Sequence, residues 1–189
     1  CSVADRIVVG WVAPSAEWAR EAALGEVDAV RARRLEPGRR QSFVAGRALL
    51  GRLLTELFPG STVWSVDTAP CPGCGAGHGP AVVRCVPALA SVAHTDGLVV
   101  AAVALAGRVT RLGVDVLPAP AGPSPSPGIQ AVAKAGGHGL RLEPGLLRPG
   151  PGTARVEGTP TTYLVRDVAG PAGYALSLAW TQAPRPTRG

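Results

Sequence analysis

Apolar positions along the chain follow two periods, one close to 3.6 residues and one close to 2, and they alternate between short blocks of each. Residues 6–12 (RIVVGWV) are rich in β-branched side chains and predict a first strand. Residues 15–24 predict a short helix opened by a serine cap with Glu17 in its first turn, and residues 28–35 a charged helix broken by Pro37-Gly38. The clearest helix spans 40–58, where Phe43, Ala45, Leu49, Leu50, Leu53, Leu54 and Leu57 fall on one face before Pro59-Gly60 ends it. Residues 63–66 predict a short strand, 71–80 a tight loop and 82–86 an extended segment. Two apolar runs, 98–105 and 109–116, are separated by Ala106-Gly107 and read as a hairpin. A Pro/Ser/Gly/Ala linker covers 118–127, a short helix 129–135 stops at Gly136-Gly137, and 144–152 is a loop. Residues 153–157, 161–167 and 174–181 predict the strands of a closing meander, with a loose tail from Gln182.

The order is helix plus strands, twice. It predicts the α+β class with two lobes, residues 1–100 and 101–189, the linker 118–127 lying in the second. The chain has 189 residues, of which 46% are hydrophobic and 17% charged, so a packed core is expected and global disorder is not. A net charge of +6 is carried almost wholly by arginine, Lys134 being the one lysine. Forked, permanently charged guanidinium groups suit phosphate. Basic residues interleaved with aromatics, as in a binder of single-stranded nucleic acid, do not occur, so no nucleic-acid partner is expected. No uncharged apolar stretch is long enough to span a bilayer and the N-terminal residues lack the plan of a signal peptide. No membrane partner and a cytoplasmic location are therefore expected.

Four segments stand out for their chemistry. They are Arg40-Gln-Ser-Phe-Val-Ala-Gly-Arg47, Cys71-Pro-Gly-Cys74-Gly-Ala-Gly-His78-Gly79-Pro80, Ser91-Val-Ala-His94-Thr95 followed later by Gly113-Val-Asp115-Val, and Gln130-Ala-Val-Ala-Lys134. In this order and at these distances they resemble the 4'-phosphopantetheinyl transferase superfamily, in its larger, pseudo-dimeric type, over residues 6–180. The resemblance implies a 4'-phosphopantetheinyl transferase-like fold, with two similar α+β lobes around a central cleft that holds coenzyme A. It implies transfer of the phosphopantetheine arm to a serine of an acyl or peptidyl carrier protein, with magnesium bridging the pyrophosphate. Such a phosphoryl transfer depends on positioning and charge neutralisation. On this likeness the residues that bind the cofactor are Arg40, Arg47, His78, Gly79, His94 and Lys134. The catalytic residues are His94, Asp115, Gln130 and Lys134, and Asp115 is the metal ligand. Arg40 and Arg47, seven residues apart on one helix face, are both expected to point at one phosphate.

Several positions depart from the family pattern. The second carboxylate of Gly-x-Asp-x-Glu is Leu117, and the glutamate that opens the fourth motif is Gln130, an amide that carries no charge and takes no proton at neutral pH. The serine beside the histidine is Ala93, the expected tryptophan is Ser126, and only 14 residues lie between Asp115 and Gln130, too few for the helix that meets the carrier protein. The metal and carrier sides are weakened while the basic residues persist. A repurposed family member is therefore expected, with a cyclase- or dehydratase-like acid–base reaction on a small natural-product intermediate, such as a polyketide. The alanine-, glycine-, arginine- and proline-rich composition, common in bacteria of high genomic GC content, is associated with such pathways. The alternatives are an active holo-carrier-protein synthase and a non-catalytic binder of coenzyme A or carrier protein. The spacing Cys71-x2-Cys74-x3-His78-x6-Cys85 also offers four ligands for zinc, against the simpler reading of a glycine-rich loop with reduced cysteines.

Overall fold

The computed structural model describes residues 6–61, 63–71, 73–119, 127–137 and 142–183. It is mixed α+β. In chain order the elements are β1 (Ile7–Val12), α1 (Trp18–Glu21), α2 (Glu26–Arg34), α3 (Pro37–Leu57), β2 (Ser65–Thr68), β3 (Ala81–Arg84), β4 (Ala88–Thr95), β5 (Leu98–Leu105), β6 (Val109–Pro118), α4 (Pro127–Ala135), β7 (Leu147–Gly150), β8 (Thr153–Val156), β9 (Thr162–Val168) and β10 (Tyr174–Gln182). Among the described residues no helix is long and apolar enough to cross a membrane.

The strands form three antiparallel sheets: β1-β5-β4, β6-β10-β9-β8-β7 and the small hairpin β2-β3. Alternation along the central strands sets the layers. On β5, Val100, Ala102 and Ala104 join Val114 and Val116 of β6 and Leu176, Leu178 and Trp180 of β10 in one core between the two large sheets. The opposite face of β5, Ala101 and Val103, packs under Leu49, Leu50, Leu53 and Leu54 of α3. On the second large sheet Ala179 of β10 packs with Tyr163 under Ala131, Val132, Ala133 and Ala135 of α4. Each large sheet is thus backed by one helix, and β5, buried on both faces, is an unbroken apolar run because neither face meets water.

Several sequence expectations are corrected. Runs 98–105 and 109–116 are not a hairpin. β5 pairs with β1 and β4, β6 pairs with β10, and the hairpin joins β4 to β5 through Asp96-Gly97. Both runs are buried on two faces, so nothing in their pattern marks the partner. Pro37-Gly38 opens α3 instead of preceding it, since a first-turn proline loses no hydrogen bond. No serine caps α1, which is a single turn with Glu17 at its N-cap. The first strand of the small hairpin lies two residues later than 63–66, and residues 147–150, expected as loop, form the edge strand β7, where Pro149 is tolerated. Most of the linker 118–127, residues 120–126, lies outside the described residues, as does the tail from residue 184.

The two large sheets meet where β4 lies against β6. There the Val114 amide donates to Ser91 Oγ at 3.1 Å.

Candidate functional site

Along β6, Gly113, Asp115 and Leu117 alternate with the core residues Leu112, Val114 and Val116 and so face α4. A Cβ on Gly113 would fall 2.0 Å from the Ala131 carbonyl oxygen and 2.6 Å from the Ala135 amide nitrogen. The helix therefore rests directly on the strand backbone. This close approach brings Lys134 to Asp115: Nζ donates to Asp115 Oδ1 at 2.7 Å and to the Val92 carbonyl of β4 at 3.4 Å. The ammonium bridges β6 and β4, the edge strands of the two large sheets, at their seam. Asp115 is buried and Lys134 half-buried. Gln130 lies one turn before Lys134 on the same side of α4 and is half-buried.

His94, near the end of β4, is open to solvent on one side. Burial on its other side lowers its pKa from the usual 6.5, and the cations Lys134, Arg39 and Arg31 lower it further, while Asp115 pulls it upward. The balance keeps the imidazole neutral at pH 7. His94 thus feels the charges of Lys134 of α4, Arg39 of α3 and Arg31 of α2, with Asp115 opposing them, while Arg31 itself donates to Thr68 Oγ1 at 3.2 Å. Arg31 and Arg39 had no motif to mark them; only the fold brings α2 and the first turn of α3 to this place.

Arg40 and Arg47 do not converge. Arg40 turns back onto α2, where Nε donates to Ala32 O at 2.9 Å and Nη2 to Leu35 O at 3.2 Å and Arg33 O at 3.3 Å. These are the orphan carbonyls of a helix C-terminus, which a guanidinium satisfies well. Arg47 is buried between α2, α3 and β2. Its Nε pairs with Asp28, its Nη2 donates to Thr68 Oγ1 at 2.7 Å, and Thr68 in turn donates to Asp28 at 2.5 Å. Asp28 is fully buried, and Arg31 and Arg47 both lie over the Phe43 ring, at 4.9 and 4.7 Å. The group ties α2, α3 and β2 together. Asp28 carried no signal in the sequence, being one acid among several charges of α2.

On the α4 side of the second sheet, Asp115, Ser177 and Asp167 lie side by side on β6, β10 and β9, and Ser177 donates to Asp167 Oδ1 at 2.6 Å. Asp115 is engaged by Lys134, and Asp167 by Ser177. Leu117 and Gln130 add no charge. Magnesium is held by hard anionic oxygens, and this donor set does not fit it.

His78 and Gly79 lie in the loop of the β2–β3 hairpin, which is held by hydrogen bonds within it and across its neck. Cys71, Cys74 and His78 form a group that could bind a metal ion. Cys85 is not in it. It follows β3 at the far end of that four-residue strand, about 13 Å from the loop. A shallow depression lined by Glu21, Arg52 and Trp64 contains none of these residues.

No protein-family model matches the chain, and no curated protein matches it.

Proposed function

We propose that the chain is a two-lobed, pseudo-dimeric member of the 4'-phosphopantetheinyl transferase superfamily that has exchanged magnesium-dependent transfer for acid–base chemistry on an anionic biosynthetic intermediate, a cyclisation or a dehydration. One observation carries the reading: Lys134 occupies the carboxylate of Asp115, and the imidazole of His94 is held neutral by burial and by nearby cations. The helix-backed sheet in each lobe supports the two-lobed reading.

In such a reaction His94 accepts a proton from the substrate, and Lys134, Arg31 and Arg39 stabilise the negative charge that develops. In a dehydration the imidazolium returns the proton to the departing hydroxyl, which leaves as water. Transfer from coenzyme A, by contrast, lacks two carboxylates at the metal position. Their loss should raise the barrier by several kcal/mol, orders of magnitude in rate.

The same cations favour a second reading, binding of coenzyme A through its phosphates, with or without residual transfer to a carrier protein. The test is incubation with coenzyme A, magnesium and an apo carrier protein, followed by intact mass. We expect no phosphopantetheine mass gain at enzyme-like turnover; its appearance would establish the transferase reading. Thermal stabilisation by coenzyme A that is lost in Lys134→Ala would show that the phosphate side of the site persists. Leu117→Glu with Gln130→Glu should raise transfer if the metal position alone was lost.

A further inference from the structure

The β2–β3 hairpin ends in a loop, residues 69–80, that is drawn shut at its neck. The Ala69 amide donates to Pro80 O at 2.9 Å and the Gly79 amide to Ala69 O at 3.0 Å. A Cβ at Gly79 would lie 2.5 Å from the carbonyl oxygens of both Ala69 and Pro70, so the neck closes this tightly only with glycine. Within the loop the Cys71 amide donates to Ala76 O at 2.7 Å, Gly75 to Cys71 O at 2.8 Å and His78 to Ala76 O at 2.8 Å, with Gly75 at a φ of +70°. This folding brings three ligand side chains together. Cys71 Sγ, Cys74 Sγ and a ring nitrogen of His78 lie within 4.8 Å of one another, and Cys74 Sγ is 3.4 Å from His78 Nε2. Bonds of about 2.3 Å to sulfur and 2.0–2.1 Å to nitrogen put tetrahedral zinc ligands roughly 3.5–3.8 Å apart. The triad needs little movement to reach that geometry.

We propose that this loop is a three-ligand site for a thiophilic divalent cation of the zinc class, held by Cys71, Cys74 and His78, with its fourth position open to water. The backbone amides of Gly73 and Cys74 also point at the Cys71 sulfur, and a metal takes such a cysteine as its thiolate. Two sulfurs and an imidazole select a soft or borderline ion over magnesium or calcium. Cys74 and His78 are exposed, so an ion has an entry path. The four-ligand expectation fails on distance, since Cys85 is separated from the loop by the whole of β3. The site does not rest on the seam reading.

The test uses the intact chain. Metal-free protein titrated with Co2+ should develop thiolate-to-cobalt charge-transfer absorption and the strong visible bands of a tetrahedral ion, saturating at about one ion per chain and erased by Zn2+. Cys71→Ser, Cys74→Ser and His78→Ala should lose these bands, and Cys85→Ser should keep them. In the unaltered protein, alkylation mapped by peptide mass should show Zn2+ shielding Cys71 and Cys74 and leaving Cys85 as reactive as before. Absence of the cobalt bands in the unaltered protein, their loss in Cys85→Ser, or equal shielding of Cys85 would overturn the proposal.

Discussion

His94 shows how a residue's neighbours decide its chemistry. Three cations, Lys134, Arg39 and Arg31, add to partial burial in lowering its pKa, and Asp115 opposes them. A histidine whose folded pKa lies below its unfolded value of 6.5 is protonated later in the native state than in the unfolded chain. The unfolded state then binds more protons at mildly acid pH. Above about 6.5 both states are neutral here and His94 adds no pH dependence; as pH falls through 6.5 toward the lowered value, stability is lost, and the loss levels off below it. Urea midpoints from pH 7.5 to 5 should fall, and His94→Gln should flatten that part of the profile. An unchanged slope in the variant would assign the loss elsewhere. Gly113-Val-Asp115 and Lys134 could be singled out from the sequence because they fall in recognisable motifs. Asp28, Arg31 and Arg39 could not, since each acquires its role from elements distant in the chain. Arg40 and Arg47 illustrate the converse: their helical spacing was read as convergence on one ligand, while nearby carbonyls and a buried carboxylate take them in different directions.

At the scale of elements, the packing of α4 on β6 depends on one missing side chain. A methyl group at Gly113 meets helix backbone on two sides, and backbone cannot rotate away as a side chain can. Gly113→Ala should therefore move α4 outward and cost about 3 kcal/mol, toward the upper end of overpacking penalties. Gly46 of α3 offers a comparison: a Cβ there meets the Val92 side chain at 3.0 Å, which can yield, so Gly46→Ala should cost less. Chemical denaturation of the two variants gives the order directly, and equal costs would sink the argument. The same geometry explains which elements were readable. α3 and α4 show one-sided apolar patterns because each covers one sheet. β5 and β6 show none, so their existence was legible and their partners were not. β7 was missed because Leu147-Arg-Pro-Gly150 carries turn residues, and only its place at the sheet edge permits them.

At the scale of the molecule, two helix-backed sheets share the core between them, and Asp115 and Lys134 lie where their edges meet. The sequence reading of α+β organisation was reached from the order of elements, which survives errors at individual boundaries. The location of the seam was not readable, because it depends on β4 lying beside β6 with the chain leaving one sheet in between.

That departure has a consequence for how the protein can be taken apart. Every described element before Leu105 belongs with the first sheet or its hairpin and helices, and every one from Val109 onward with the second, so the backbone passes between them once, at residues 106–108. A gene cut there would yield two pieces that each carry a whole sheet and its covering helix, and whose exposed edges, β4 and β6, are the surfaces that meet in the intact chain. Co-expressed, they should associate one to one and restore a single cooperative melt, as a split pair whose reassembly reports on the seam. Failure of the pieces to co-purify would show that the junction at 106–108 itself holds the two sheets together.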